Sequence, residues 1–188
     1  MLRLALALYL NLGVRKSDVV RIGPRNVKAG VLTDFLPQKT SHSNGKRINV
    51  PLTEETKAIL AATPITGSDS YLVTSFGKAF TANGFGNKMR EWCDQAGLPE
   101  CTSHGLRKLC LTRLADIDGM DVLGLAAISG HKDLRELQIY IDTADRKRKA
   151  KWAISKLEAA QKANTKVSNR ASPLDNPTKN LSEIKAES

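Results

Sequence analysis

The sequence predicts an α+β fold, mainly α-helical with a small antiparallel sheet. Two observations predict it. Apolar residues recur at helical spacing, as with Phe85, Met89, Trp92 and Ala96. Residues 27–36 and 48–52 read as strands, and the polar segment between them holds Asn44-Gly45, a hairpin-turn signal.

Composition narrows the class. The 188 residues, 41% of them hydrophobic, suit one compact domain with a sizeable core. A net charge of +10 and a pI near 9.7 point to a polyanionic partner, with nucleic acid the first expectation. Cys93, Cys101 and Cys110 form neither a disulfide framework nor a zinc pattern, which fits a reducing, cytoplasmic setting. Residues 1–14, MLRLALALYLNLGV, superficially resemble a short signal peptide. No small-x-small cleavage site follows, and the run is shorter than the roughly 20 apolar residues a bilayer span takes. A buried helix is expected there, and no membrane partner. There is no internal repeat.

The elements follow in order. Residues 4–12 are apolar nearly all round, so that helix is buried on most sides, and Gly13 ends it. Ser17 is placed to cap a short helix over 18–22, which Gly23-Pro24 stops. Arg15 then lies in a tight corner between helices. The hairpin comes next, with Lys39 and Thr40 at its mouth, Lys46 and Arg47 on its return, and His42 as a surface loop residue. Thr53 starts a helix to about residue 62, with Glu54 and Glu55 at its positive end. Residues 71–74 read as a short strand and 80–96 as an amphipathic helix, with Lys88 and Arg90 on its exposed side. Thr102 or Ser103 caps the next helix, where His104 and Arg107, three apart, share one side near a positive N-terminus. Leu106, Cys110 and Leu114 face the core. Asp121 opens a helix over 122–128 that Gly130 closes, and His131 follows in the turn. Asp133 and Glu136 have capping-box spacing for a further helix that carries Tyr140 near its end. Arg146, Lys147, Arg148, Lys149 and Lys151 form a basic run in a last helix, over about 146–163. Its apolar residues include Trp152, Ile154 and Leu157. The Ser-, Asn-, Pro- and Lys-rich residues 164–188 read as a disordered tail.

Two imidazoles, two guanidiniums, a lysine and a phenol suit phosphate chemistry. Arginine presents a planar fork to phosphate oxygens, histidine shares a proton near neutral pH, and an oxygen nucleophile bonds to phosphorus. Taken singly, each has a plainer reading: Arg15 in an ion pair with Asp18, His104 as a structural imidazole, Tyr140 as a core aromatic. Their order is more specific. Leu-Gly-Val-Arg-Lys-Ser-Asp supplies Arg15; His104-x-x-Arg107, Ser129-Gly130-His131 and Tyr140, nine residues on, complete the series. This pattern resembles the tyrosine recombinase (phage integrase) family from Met1 to the mid-150s. Lys39 resembles the family's catalytic lysine, with Lys46 as the alternative. Leu137 departs from the pattern, standing where the family often has Thr.

The resemblance implies a tyrosine recombinase catalytic domain over residues 1–163, without the N-terminal DNA-clamp domain of full-length relatives. It implies a site-specific recombinase that cleaves and rejoins double-stranded DNA through a 3′-phosphotyrosyl intermediate, needs no metal or cofactor, and self-associates on DNA. Tyr140 would attack, Arg15 and Arg107 would hold phosphate oxygens, and Lys39 would protonate the leaving oxygen. His104 would exchange a proton with Tyr140, and His131 would hydrogen-bond the phosphate. Asp18 would orient the Arg15 guanidinium. The rival readings are a type IB topoisomerase-like enzyme and a non-catalytic DNA-binding regulator.

Overall fold

A computed structural model describes residues 1–41, 47–64 and 69–168. His42 and Lys46 of the expected hairpin, its Asn44-Gly45 turn, and residues 169–188 lie outside the described residues. Contacts divide the chain into two units, Met1–Arg146 and Lys147–Ser188.

Helix α1 (Leu2–Leu12) is the centre of the first unit. Leu4, Ala5, Leu8, Tyr9 and Leu12 are all buried, as its all-round apolar sequence requires. It packs against α4 (Glu54–Ala61) and α6 (Ser103–Ala115). Gly13 ends it in the left-handed conformation, φ 56°, where a Cβ would stand 3.2 Å from Cys110 Sγ. The residue thus serves both the turn and the close approach of α6.

Helix α2 (Lys16–Val19) starts earlier than Ser17 capping implies. Arg15 itself is the N-cap, with extended backbone, and its carbonyl accepts the N–H groups of Asp18 and Val19. The backbone of Arg15 is therefore fixed by the helix it opens.

The sheet is three-stranded and antiparallel, in the order β1 (Val27–Lys28), β2 (Val31–Phe35), β3 (Ile48–Pro51). The single strand expected over 27–36 is cut by a turn at Ala29 (φ 48°) and Gly30 (φ 75°), so its two parts pair with each other. Between β2 and β3 the register shifts at Asp34 (φ 54°). Arg47 Nη1 donates to the Asp34 carbonyl at 2.8 Å, and Asn49 Oδ1 accepts the Asp34 N–H at 2.8 Å, so this bulge is tied down. Lys39, expected at a hairpin mouth, sits in a short helix, α3 (Gln38–Ser41).

Thr53 caps α4 as expected, accepting the Thr56 N–H. The strand expected at 71–74 is instead an isolated bridge, Val73 to Ala79. A tight turn, in which Thr74 N–H donates to the Lys78 carbonyl at 2.8 Å, closes before any ladder can extend. Helix α5 (Ala82–Gln95) buries Phe85 and Met89 and packs on α2. Thr102, not Ser103, caps α6. Helix α7 (Val122–Ser129) ends in left-handed Gly130 and packs against β3.

Helix α8 runs unbroken from Arg135 to Ser168. Two helices were expected here, with Tyr140 near the end of the first; no Gly or Pro lies in this stretch to separate them, so Tyr140 falls in the second turn of one long helix. Leu137, Ile141 and Ala144 join Leu111, Ala115 and Leu125 in a second core cluster. Asp133 Oδ1 accepts the Arg135 N–H at 2.9 Å at the entry to this helix. In the second unit, Trp152, Ile154 and Leu157 are exposed, and Lys156 Nζ lies 5.9 Å from the Trp152 ring.

Candidate active site

Five of the six expected residues, Arg15, Lys39, His104, Arg107 and His131, line one open cleft of about 790 Å³. Four local devices bring them there. Arg15 caps α2, and Lys39 sits on α3. His104 and Arg107 occupy successive turns at the start of α6. His131 follows the left-handed turn at Gly130. Lys16, Asn83, Asn87, Arg90 and Glu136 complete much of the wall.

Arg107 is buried, 5% exposed, and is held from the α1 side by donation from Nη1 to the Gly13 carbonyl. Burial, then the neighbouring Arg15 charge, lowers its pKa to about 10, so it stays cationic at neutral pH. Arg15 is less satisfied. Its Nη1 is buried without a hydrogen-bond partner among the described residues. An unmet buried donor costs about 1–3 kcal/mol, and here it lines a cleft with a second guanidinium. Such a pair offers several N–H donors and two positive charges to one anion.

His131 has the densest contacts. Ser129 Oγ lies 2.6 Å from its Nδ1. Arg107 Nη2 is 3.0 Å from Nε2 and 3.3 Å from Nδ1. A nitrogen so nearly equidistant from both ring nitrogens cannot lie on either in-plane lone pair; the guanidinium rests across the imidazole face, a stacking arginine favours. Burial, then the Arg107, Arg15 and Lys39 charges, pushes the His131 pKa down to about 4. The ring is thus neutral at neutral pH, and the 3.5 Å approach of Glu136 Oε2 to Nε2 is not an ion pair there. Glu136, at capping-box spacing from Asp133, faces this imidazole.

Tyr140 does not line the cleft. It is half-buried and, with Lys108, Thr112, Asp116, Ile139, Thr143 and Ala144, borders a smaller hollow of about 330 Å³. Burial raises its phenol pKa, while the Arg107 charge pulls it the other way.

Asp18 does something other than orient Arg15. It is buried; its Oδ1 accepts the Gln38 N–H at 2.7 Å and lies 3.5 Å from Arg21 Nη1. Arg21 in turn donates to the Leu36 carbonyl at 3.2 Å and lies 5.5 Å from the centre of the Phe35 ring. Of the two basic residues expected to reach outward from α5, Arg90 lines the cleft, whereas Lys88 pairs with Glu91 at 2.8 Å. Sequence reasoning missed Ser129, Glu136 and the Asp18–Gln38 contact. The Ser-Gly-His triplet itself carried the signal for Ser129, since only a left-handed glycine separates hydroxyl from imidazole.

No group of three or more His, Cys, Asp or Glu is placed to hold a metal ion among the described residues. Among them no helix is long and apolar enough to cross a membrane.

Comparison with known proteins places the fold. Residues 1–147 match the model of the phage integrase family. The chain is 25% identical over 169 residues to the shufflon-specific DNA recombinase of Escherichia coli, covering 89% of this chain and 40% of that protein. Among solved structures, XerA recombinase shares the fold with a TM-score of 0.62 at 21% identity, over 79% of this chain and 60% of that one. A lambda integrase dimer bound to a COC′ core site gives a TM-score of 0.58 at 18% identity, over 74% and 51%. The Tn1549 transposon integrase in complex with circular intermediate DNA gives 0.60 at 18% identity, over 78% and 58%. The chain thus spans 40–60% of these proteins' lengths. With the family model matching residues 1–147, most of its length, the chain belongs to the phage integrase family.

Proposed function

We propose that this chain is the catalytic domain of a site-specific DNA recombinase, spanning residues 1–163 and working on double-stranded DNA in the cytoplasm. The observation that carries this reading is the pairing of Arg15 and Arg107 in one cleft, with an Arg15 donor buried and unmet. That arrangement awaits an anion, and a net charge of +10 brings DNA phosphates to it.

In the proposed reaction the Tyr140 oxygen attacks the scissile phosphorus. A 3′-phosphotyrosyl bond forms as the bond to the 5′ oxygen breaks. His104 takes the phenolic proton and Lys39 supplies one to the departing oxygen; such proton transfers contribute about 10²–10⁴-fold. Arg15 and Arg107 hold the non-bridging oxygens and stabilise the charge that develops on them. His131 donates to the phosphate. The covalent link stores the bond energy for rejoining, so the mechanism needs no nucleotide, and the two guanidiniums supply the charge stabilisation that other phosphoryl-transfer enzymes draw from metals. In the free chain Tyr140 borders the adjoining hollow. Attack therefore includes movement of the phenol into the cleft when DNA is bound, and self-association of further copies on DNA pairs the two cleaved sites.

A nicked suicide substrate tests the reading, because loss of the short fragment traps the adduct. A protease-sensitive covalent product that vanishes in Tyr140→Phe supports it. Firm DNA binding with no adduct, even alongside the part of a full-length relative that this chain does not match, overturns it in favour of a DNA-binding regulator. Relaxation of supercoils by single copies that never pair sites would place the chain with type IB topoisomerase-like enzymes instead.

A further inference from the structure

The contacts of Ser129 determine which nitrogen of His131 carries the proton. Ser129 is buried at the last turn of α7. Its hydroxyl lies 2.7 Å from the Leu125 carbonyl and 2.6 Å from His131 Nδ1. The hydroxyl has one proton. A carbonyl oxygen only accepts, so that proton goes to Leu125, the back-bond common for serine within a helix. The Nδ1 contact is then satisfied in one way: Nδ1–H donates and Ser129 Oγ accepts. In the neutral ring, Nε2 is left bare.

We propose that Ser129 is a positioning residue that locks His131 with Nε2 unprotonated, so that His131 must take a proton from solvent before it can donate to a bound phosphate. This rests on the reading of the cleft as a phosphate site and adds a proton to the cost of filling it. The charges around the ring fit such a step. Arg107 on α6 lies across its face, and Arg15 at the start of α2 and Lys39 on α3 add positive charge. Together they keep a proton off the empty site. Glu136 on α8 is the counterweight, 3.5 Å from Nε2. An anion held by Arg15 and Arg107 cancels their field and lets Glu136 and the anion together draw the proton in. Without Ser129, the neutral ring is free to place its single proton on Nε2, and binding no longer needs a second one.

The test uses the whole chain with ¹⁵N-labelled histidine, and inorganic sulfate as a probe that does not itself titrate near neutral pH. In the free wild-type protein at pH 7, His131 should show a protonated-type Nδ1 and a bare-type Nε2 resonance. In Ser129→Ala the two should move towards the opposite tautomer, and Ser129→Thr should restore the first pattern. Sulfate binding to wild type should weaken about tenfold per pH unit above neutrality, the slope for uptake of one proton. In Ser129→Ala that slope should drop below about twofold per unit. A protonated Nε2 in free wild type overturns the proposal and needs no variant. An identical pH slope in wild type and Ser129→Ala overturns it as well. Both readings are made without DNA, so absence of a phosphotyrosyl adduct would defeat the recombinase reading while leaving the tautomer result to be judged separately.

Discussion

Asp18 Oδ1 accepts the backbone N–H of Gln38, the residue before Lys39, at 2.7 Å. The acidic residue three positions after Arg15 thus holds the backbone next to the lysine rather than the arginine's side chain. With Arg21 bonded to the Leu36 carbonyl, a carboxylate and a guanidinium grip the chain on both sides of Pro37.

Asp18→Asn weakens that grip, since a hydrogen bond to a charged group contributes about 1.5–3 kcal/mol. Cleavage should fall about tenfold, less than the roughly 10²–10⁴-fold loss expected of Lys39→Ala. A DNA substrate with sulfur in place of the 5′ bridging oxygen separates delivery of the proton from general damage, because a thiolate departs without one. Both variants should regain most of their rate on it. An Asp18→Asn defect that persists with the sulfur substrate would show that Asp18 does not act through Lys39.

Arg15 and Arg107 should differ in what they do for stability. Arg107 closes the α1–α6 contact through the Gly13 carbonyl, whereas Arg15 leaves a buried donor unmet. Arg107→Gln should lower both the cleavage rate and the unfolding free energy, the latter by about 2–4 kcal/mol. Arg15→Gln should cost about 10²–10³-fold in cleavage yet leave the urea midpoint unchanged or higher. Equal losses of stability in the two would contradict this division.

Acid should destabilise the fold through His131. Its pKa, about 4 when folded, lies below the unfolded value near 6.5, so the unfolded chain binds the proton more tightly. The contribution is complete above pH 6.5 and is lost as pH falls towards 4. By pH 5 the loss should reach at most about 2 kcal/mol. Urea unfolding of wild type and His131→Asn at pH 7 and pH 5 isolates it: the variant should lose less stability between the two. Parallel losses would mean that the imidazole titrates alike in the folded and unfolded chain.

Gly13→Ala should destabilise by more than about 1 kcal/mol, since alanine disfavours the left-handed backbone and its Cβ would stand 3.2 Å from Cys110 Sγ. Thermal unfolding measures this. Pairing it with Cys110→Ala should recover the part due to the contact and none of the part due to φ.

Much of this was legible in the sequence, for physical reasons that can be named. Helix α1 was visible because its residues are apolar nearly all round, and α4, α6 and α7 because Thr53, Thr102 and Asp121 cap them. The cleft residues were visible through the order of their motifs. What escaped was set by tertiary context or by local geometry below pattern resolution. A two-residue turn at Ala29-Gly30 divides what reads as one strand, because alanine rarely signals a positive φ. The continuity of α8 was hidden by a charged run that imitates a boundary without any residue to break the helix. The partner of Asp18 lies 20 positions away, and no local pattern points there. The separate hollow around Tyr140 depends on how α6 and α8 pack, which spacing along the chain does not encode.

The Gly13 carbonyl and the Arg107 guanidinium that grasps it are 94 residues apart in sequence. Closing so long a loop is entropically late, and folding slows as such distant contacts come to dominate. On the ribosome, α1 can meet α4 first but lacks its α6 partner until residues 103–115 have emerged, and the imidazole of His131 must follow before the cleft is whole. The device that would cut DNA cannot exist on a partly made chain. Nascent fragments ending before Gly130 should accordingly fail to retain sulfate at concentrations that fill the finished protein, so the moment at which the molecule can engage a phosphate is set by the clock of its own synthesis.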